Sequence, residues 1–477
     1  MNLLFSNYYK IFNTTWPNNI NFVLISILLS IPALLLGEWS IYFLPLIFLI
    51  TLCYIFSERF IIALILITLF TLVGELNQSL RAVVHLIDFT LLGILFLKRF
   101  GLNFKEYRLI PKSMVYFLLL YFSVMIMSSA MSSYPFAGIG IISEQIAFFI
   151  IVYVFYSIIN DERDINNYLI AIMVVSFVLV TVSLIQLFST NFNLLDIIAK
   201  DRIRISVLIT NAEASSNFYL ISFPFLIVLF LAKKQSFNRN LIVAFAIYLS
   251  FGLSLAMSRS AILGITLSTA IIFFILRRRR FYQFVCTLIA ISILFVFIKP
   301  LNETLSLFLR IDSGLSERER VWDMSLNIIR DHPLFGLGPG AYKYEFYNYF
   351  PYMLNDWWGK LLIYYHELSN EENFSHNYFL VLFTEMGILG LITAIILPII
   401  YFRIGIKTLI KYRNGLTENY YLIVALFAIG TSIIARNFFN SIGLLYLGGL
   451  TGDLPFWLIF SSLIYFYKLP MTKSSGS

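Results

Sequence analysis

Apolar residues dominate the chain in long runs broken by short polar stretches. These runs fall near residues 20–36, 41–56, 60–73, 82–97, 113–131, 141–159, 167–188, 218–232, 241–257, 261–276, 281–298, 377–402, 420–435 and 453–467. A run of about 20 apolar residues is what a helix needs to cross a hydrocarbon core of about 30 Å, and in that solvent a chain must satisfy its backbone internally. The pattern therefore predicts an all-α integral membrane protein of about 12–14 transmembrane helices. Two polar interruptions are long, at 189–217 and 299–375. They divide the chain into N-terminal helices (1–188), a second helical block with short arginine-bearing loops (189–298), one large loop (299–376), C-terminal helices (377–470) and a tail (471–477). No short apolar core followed by a small-residue cleavage site opens the sequence, so the first helix is expected to remain as an anchor.

Composition agrees: 59% of the 477 residues are hydrophobic and only 13% are charged, which excludes an ordinary soluble domain. The basic residues then orient the helices. Cytoplasmic loops of membrane proteins carry excess Lys and Arg. Only one alternate set of loops does so here: Lys98 to Lys112, Lys233 to Arg239, Arg277 to Arg280, and Arg403 to Arg413. With these loops inside, both termini are cytoplasmic and the large loop is outside. The run Arg277 to Arg280 is read as a topology anchor, not as a nucleic-acid site, and no nucleic-acid partner is expected. Cys53 and Cys286 both lie in apolar runs and carry no redox information.

The chemistry is expected in the outer segments. Arg204, Arg259 and Arg436 stand at outer helix ends against the charge bias, and Arg318 and Arg320 lie in the large loop. The apolar spacing of Val321, Met324, Ile328 and Ile329, ended by Asp331-His332-Pro333, predicts an amphipathic helix near 317–330. Gly336-Leu337-Gly338-Pro339-Gly340 follows; with no strand before it, it is not read as a phosphate loop. At re-entry into the membrane stands His376-Asn377, followed after nine residues by Gly387-Ile388-Leu389-Gly390.

This spacing resembles the O-antigen ligase and polymerase superfamily. So do Arg318 four residues before Trp322, the His-Pro and Gly-x-Gly stretch at 332–338, Arg259 within Ser258-Arg259-Ser260-Ala261, and Arg204 ahead of Thr210-Asn211-Ala212. The resemblance covers residues 200–400. It implies a GT-C-like membrane glycosyltransferase of the bacterial inner membrane, acting on its outer face on a glycan linked to polyprenyl diphosphate. The implied transfer is inverting, with no metal and no cofactor. The acceptor would be a lipid A core or another glycan acceptor, with membrane lipids as surroundings.

Guanidinium groups grip phosphate oxygens in a bidentate fork and stabilise charge developing on a leaving diphosphate. Arg204 and Arg259 are assigned that role, with Arg318, Arg320, Arg436 and Asn377 as further donor-binding residues. His376 is the candidate base for the attacking hydroxyl, since an imidazole can accept a proton near neutral pH. The aromatics of 342–365 either stack on sugars or rest at the membrane interface. Two readings share this chemistry: a ligase, favoured by the form of the His-Asn motif, and a repeat-unit polymerase. A transporter or flippase is the reading from another class. It would be expected to show repeated halves, and the sequence contains none.

Overall fold

The structure is a computed structural model, and it describes residues 49, 56–71, 78–100, 108–189, 212–232, 238–256, 258–298, 316–349, 376–413, 418–445 and 450–470. The described residues form helices, in chain order α1 (Glu58–Thr71), α2 (Gln78–Phe100), α3 (Lys112–Met131), α4 (Pro135–Ile158), α5 (Glu162–Ser189), α6 (Ala212–Leu231), α7 (Arg239–Ala256), α8 (Arg259–Leu276), α9 (Arg278–Phe297), α10 (Ser316–Asp331), α11 (Tyr342–Glu345), α12 (Tyr378–Tyr412), α13 (Glu418–Arg436) and α14 (Leu450–Lys468). A 3-10 turn, Phe346–Tyr349, follows α11. No strand occurs among the described residues, and seven of their helices are long and apolar enough to cross a membrane by length and composition alone. The protein is an all-α integral membrane protein. Twelve of the fourteen predicted spans coincide with described helices; those at 20–36 and 41–56 lie outside the described residues, apart from Leu49 and Phe56.

Two helices organise the bundle. α6 packs on α5, α7, α8 and α13, while α12 packs on α3, α13 and α14. Both are buried along much of their length, as expected of helices that face protein and not lipid on most sides. Lipid-facing side chains are still apolar: Leu119, Ile126, Ile150 and Ile399 are exposed on helices that otherwise pack inward.

The helix bundle has two distinct ends. At one end Arg59 of α1 binds Asp161 at 2.9 Å and Asp164 at 2.7 Å. There also Lys411, in the last turn of α12, donates to the carbonyls of Phe466 and Tyr467, where the C-terminus of α14 presents unpaired carbonyls to a cation. The loops carrying Arg108, Arg239 and Arg277–Arg280 lie at this end. The opposite end, called here the site end, gathers the starts of α8 and α12, the end of α13 and the amphipathic helix α10.

α12 has 35 residues, and at 1.5 Å per residue an unbroken helix would run about 52 Å, well beyond a bilayer core. It is broken at Gly387, whose φ of 65° and ψ of −159° are non-helical. The turn after α10 enters the break. Leu337 N–H donates to the Thr384 carbonyl at 2.9 Å, Gly338 N–H to the Glu385 carbonyl at 2.8 Å, and Ile388 N–H donates in return to the Pro333 carbonyl at 2.9 Å. In a continuous helix the Thr384 carbonyl would have served Ile388. The loop thus replaces the bond that the break removes, so membrane-depth backbone stays satisfied. Ser128 of α3 adds its hydroxyl to the Phe335 and Glu385 carbonyls at 2.6 and 2.9 Å.

Glycine is required on both sides of this junction. A Cβ at Gly387 would overlap the Leu334 carbonyl, and one at Gly336 (φ 68°) would overlap the backbone of Glu385. Beneath the turn, Met324 and Ile328 of α10 pack with Leu337, Ala341, Tyr342 and Val381. We expect Gly387→Ala to destabilise the fold by roughly 1–3 kcal/mol from backbone strain alone, whereas Gly140→Ala, at an exposed glycine of α4 with open space around it, should be neutral. Thermal unfolding of the detergent-purified protein checks this; equal midpoints for the two variants would contradict the junction.

Candidate functional site

At the site end three segments meet. α8 starts at Arg259 because Ser258 caps it, its hydroxyl accepting from Ala261 N–H. Arg259 is half-buried. α12 starts after Asn377, whose side-chain oxygen accepts from the N–H groups of Phe379 and Leu380 at 2.9 and 3.1 Å. The other half of the Asn377 amide donates to the Phe438 carbonyl at 2.9 Å, and Tyr378 N–H reaches the carbonyls of Asn437 and Asn440. An asparagine serves here because one side chain must accept for the helix cap and donate across to the segment after α13.

Arg436 closes the third side. It ends α13, is 2% exposed, and donates to Ser260 Oγ at 3.1 Å, to Ser216 Oγ at 2.9 Å and to Asn217 Oδ1. It thereby joins α6, α8 and α13 within one guanidinium. Removing a guanidinium from water is costly, and the hydrogen bonds it donates to neighbouring side chains, together with the carbonyl end of its own helix, offset that cost. A continuous chain of contacts runs from Arg259 through its neighbour Ser260 to Arg436, on through Asn437 to Tyr378, and so to Asn377 and His376.

His376 is the one non-glycine residue with positive φ (47°) among the described residues. That conformation is uncommon for a side-chain-bearing residue, and such strain concentrates where surrounding contacts fix a functional group. The fixing contacts are visible: the next residue caps α12 and the one after is pinned by two carbonyls.

Arg318 and Arg320 lie in the first two turns of α10, which packs against α12, so the backbone carries them to the same end. Arg204 lies outside the described residues. The structure therefore brings together the elements bearing Arg259, Arg436, His376, Asn377, Arg318 and Arg320. His332 is exposed just past α10, as expected of a helix stop, and His85 stacks on Phe89 at 5.8 Å.

The tyrosines of the large loop divide. Tyr342 is buried within the small core under α10, and burial pushes its hydroxyl up to about 12; Tyr349 is raised to about 12 by burial and then by its bond to Asp331. Both are neutral donors at physiological pH, so neither competes with an imidazole as a base. For Tyr342 the packing role wins over sugar stacking, and Tyr344 stacks on Tyr134 at 4.9 Å. The remaining aromatics at 352–365 lie outside the described residues.

Reading the sequence for arginines and histidines missed a set of buried polar residues below the site. Glu385 is 1% exposed and Asp453 fully buried. Asp453 accepts from Gly443 N–H at 2.8 Å, which fastens the start of α14 to the segment after α13. Tyr121 lies within electrostatic reach of both acids. The signal was present: an acid inside an apolar run such as Phe383-Thr384-Glu385-Met386 is rare in a membrane and marks a partner or a function.

Arg436→Gln should lower stability by roughly 2–3 kcal/mol, because Ser216, Ser260 and Asn217 lose a buried donor, while Arg259→Gln should cost less than about 1 kcal/mol. Thermal melts of the two variants distinguish a structural tie from a surface-directed arginine; equal losses would contradict it.

Comparison with known proteins gives an independent test. No curated protein matches the chain. Residues 243–395 match the family described as O-antigen ligase, a stretch that runs from α7 through the break in α12 and holds Arg259, Arg318, Arg320, His376, Asn377 and both glycines of the motif. Over this segment, about a third of the chain, the protein is similar to the O-antigen ligase family.

Proposed function

We propose that the protein is a ligase that moves a glycan from a polyprenyl diphosphate carrier to an acceptor hydroxyl at the outer face of the bacterial inner membrane. One observation carries the reading: Arg259, the buried Arg436 tie and the strained His376 converge at one end of the bundle, largely within the family segment. The basic loops gathered at the other end support an orientation with the site facing outward and both termini inside.

In this mechanism the acceptor oxygen attacks the anomeric carbon from the face opposite the diphosphate. The carbon–oxygen bond to the diphosphate breaks, and configuration inverts. His376 takes the hydroxyl proton. Arg259 stabilises the charge accumulating on the leaving diphosphate, with Arg204, Arg318 and Arg320 as further ligands. Arg436 acts from behind, holding the start of α8 so that Arg259 has a fixed origin. Asn377 does the same for His376. The transfer calls for no metal or other cofactor.

The donor is a polyprenyl diphosphate-linked glycan, and the acceptor a lipid A core or comparable surface glycan. Cells lacking the protein should retain full-length chains on the polyprenyl lipid with none on the surface acceptor, read by parallel gels of the two pools; single repeat units on either pool would indicate a polymerase instead. His376→Gly separates chemistry from folding. Glycine adopts positive φ without strain, so the variant should fold at least as well as the wild type yet lose transfer by about 100-fold or more. Retained transfer would remove His376 from the reaction.

A further inference from the structure

A basic cavity lies at the opposite end of the molecule. α8 carries Arg259 at its start and ends at Leu276, so the residues that follow are displaced from the site end by the helix length, about 27 Å at 1.5 Å per residue. There, a cavity of about 620 Å³ opens between the ends of α6 and α8 and the starts of α7 and α9. Arg239 and the run Arg277 to Arg280 line it, with Phe230 and Leu276 supplying apolar wall.

A topology anchor requires only positive charge near the membrane surface. This arrangement has more. Five arginines from two chain segments line one cavity, Arg277 is the residue from which α9 starts, and the positive end of that 20-residue helix lies at the same place. None of the ion pairs among the described residues involves these arginines. Arg239 and Arg278 instead lie over the rings of Phe230 and Phe274, at 5.6 and 5.8 Å, which holds the guanidinium planes beside apolar surface. Phe274 and Tyr282 are themselves exposed, at 52% and 65%, on the two helices whose ends line the cavity.

Together, a volume in the range of small-molecule sites, five formal positive charges and an apolar wall beside the lipid-facing surface specify an amphiphilic anion. One phosphodiester would leave most of that charge unbalanced, whereas two phosphates match it better and each accepts bidentate bonds from arginine. We propose that this cavity binds a lipid headgroup bearing two phosphates, its hydrocarbon chain leaving along Phe274 and Tyr282. The site is separate from the transfer site and does not depend on the ligase reading.

The test is native mass spectrometry of the purified full-length chain with four probes: cardiolipin, farnesyl diphosphate, inorganic diphosphate and phosphatidylcholine. Saturable retention of cardiolipin or farnesyl diphosphate is expected, and whichever is held more tightly identifies a bis-phosphodiester lipid or a prenyl diphosphate as the source. R239Q/R278Q/R280Q, which leaves Arg277 and Arg279 as anchors, should weaken that retention at least tenfold. Should this variant fail to insert, replacing all five arginines by lysine keeps the charge but removes the bidentate fork, and binding should still fall severalfold. Unchanged retention in the variants, equal retention of phosphatidylcholine, or inorganic diphosphate binding as tightly as either lipid would overturn the proposal.

Discussion

The architecture of the site depends on one exchange of backbone hydrogen bonds. α12 breaks at Gly387, and the turn at 333–338 supplies the partners that the broken helix lacks. In water such a break would be trivial, because solvent would satisfy the freed groups. At membrane depth each unsatisfied group costs several kcal/mol, so the break can exist only where another piece of backbone enters it. The turn is fixed in turn by α10, through Met324 and Ile328 against Leu337 and Val381. The amphipathic helix is thus joined to the membrane bundle by backbone and not merely laid upon it. That places the helix carrying Arg318 and Arg320 in a defined register relative to His376, eleven residues before the break.

A second constraint is the buried guanidinium of Arg436. Its three side-chain partners come from α6 and α8, and its own backbone belongs to α13, so it fixes the mutual rotation of three helices that apolar packing alone would leave free to slide. Hydrogen bonds from a fully buried donor are directional where methyl contacts are not, and a position one residue from Arg259 is a place where direction counts. Asn377 has the same logic on a smaller scale: one amide both caps α12 and holds Phe438.

Much of the bundle was legible in the sequence because a bilayer imposes a single strong rule, a run of about 20 apolar residues, that needs no knowledge of partners. The His-Asn and Gly-x-x-Gly spacing was legible as a pattern, but its cause was not. Gly336 and Gly387 are far apart in the chain, and only the meeting of their segments shows that Gly336 makes room for the backbone of Glu385 and Met386, and Gly387 for that of Leu334 and Phe335. Arg436 read as one more outer arginine, since nothing near it in the sequence reveals Ser216, Asn217 or Ser260 as its partners. Tyr342 read as either a sugar-stacking or an interface aromatic for a similar reason: its burial is decided by its packing with Met324 and Ile328 of α10. Glu385 and Asp453 went unread although each interrupts an apolar run, because attention to outward-facing charge passes over acids that point into protein.

The two ends of the molecule pose opposite electrostatic problems with the same residue. At the site end Arg436 is buried and engaged by side chains, so it cannot drift to whatever phosphate approaches; Arg259, half-buried on a capped helix start, retains access. At the other end five arginines crowd one cavity without an ion pair among the described residues. Mutual repulsion there is relieved only by solvent, counterions or a multiply charged ligand. On the proposed reading the transfer site must release its diphosphate after each turnover, which favours guanidinium groups held apart on separate elements over a crowded cluster. A crowded basic cavity has the reverse property, holding a polyanion tightly and letting it go slowly, and that suits retention of a lipid more than catalysis.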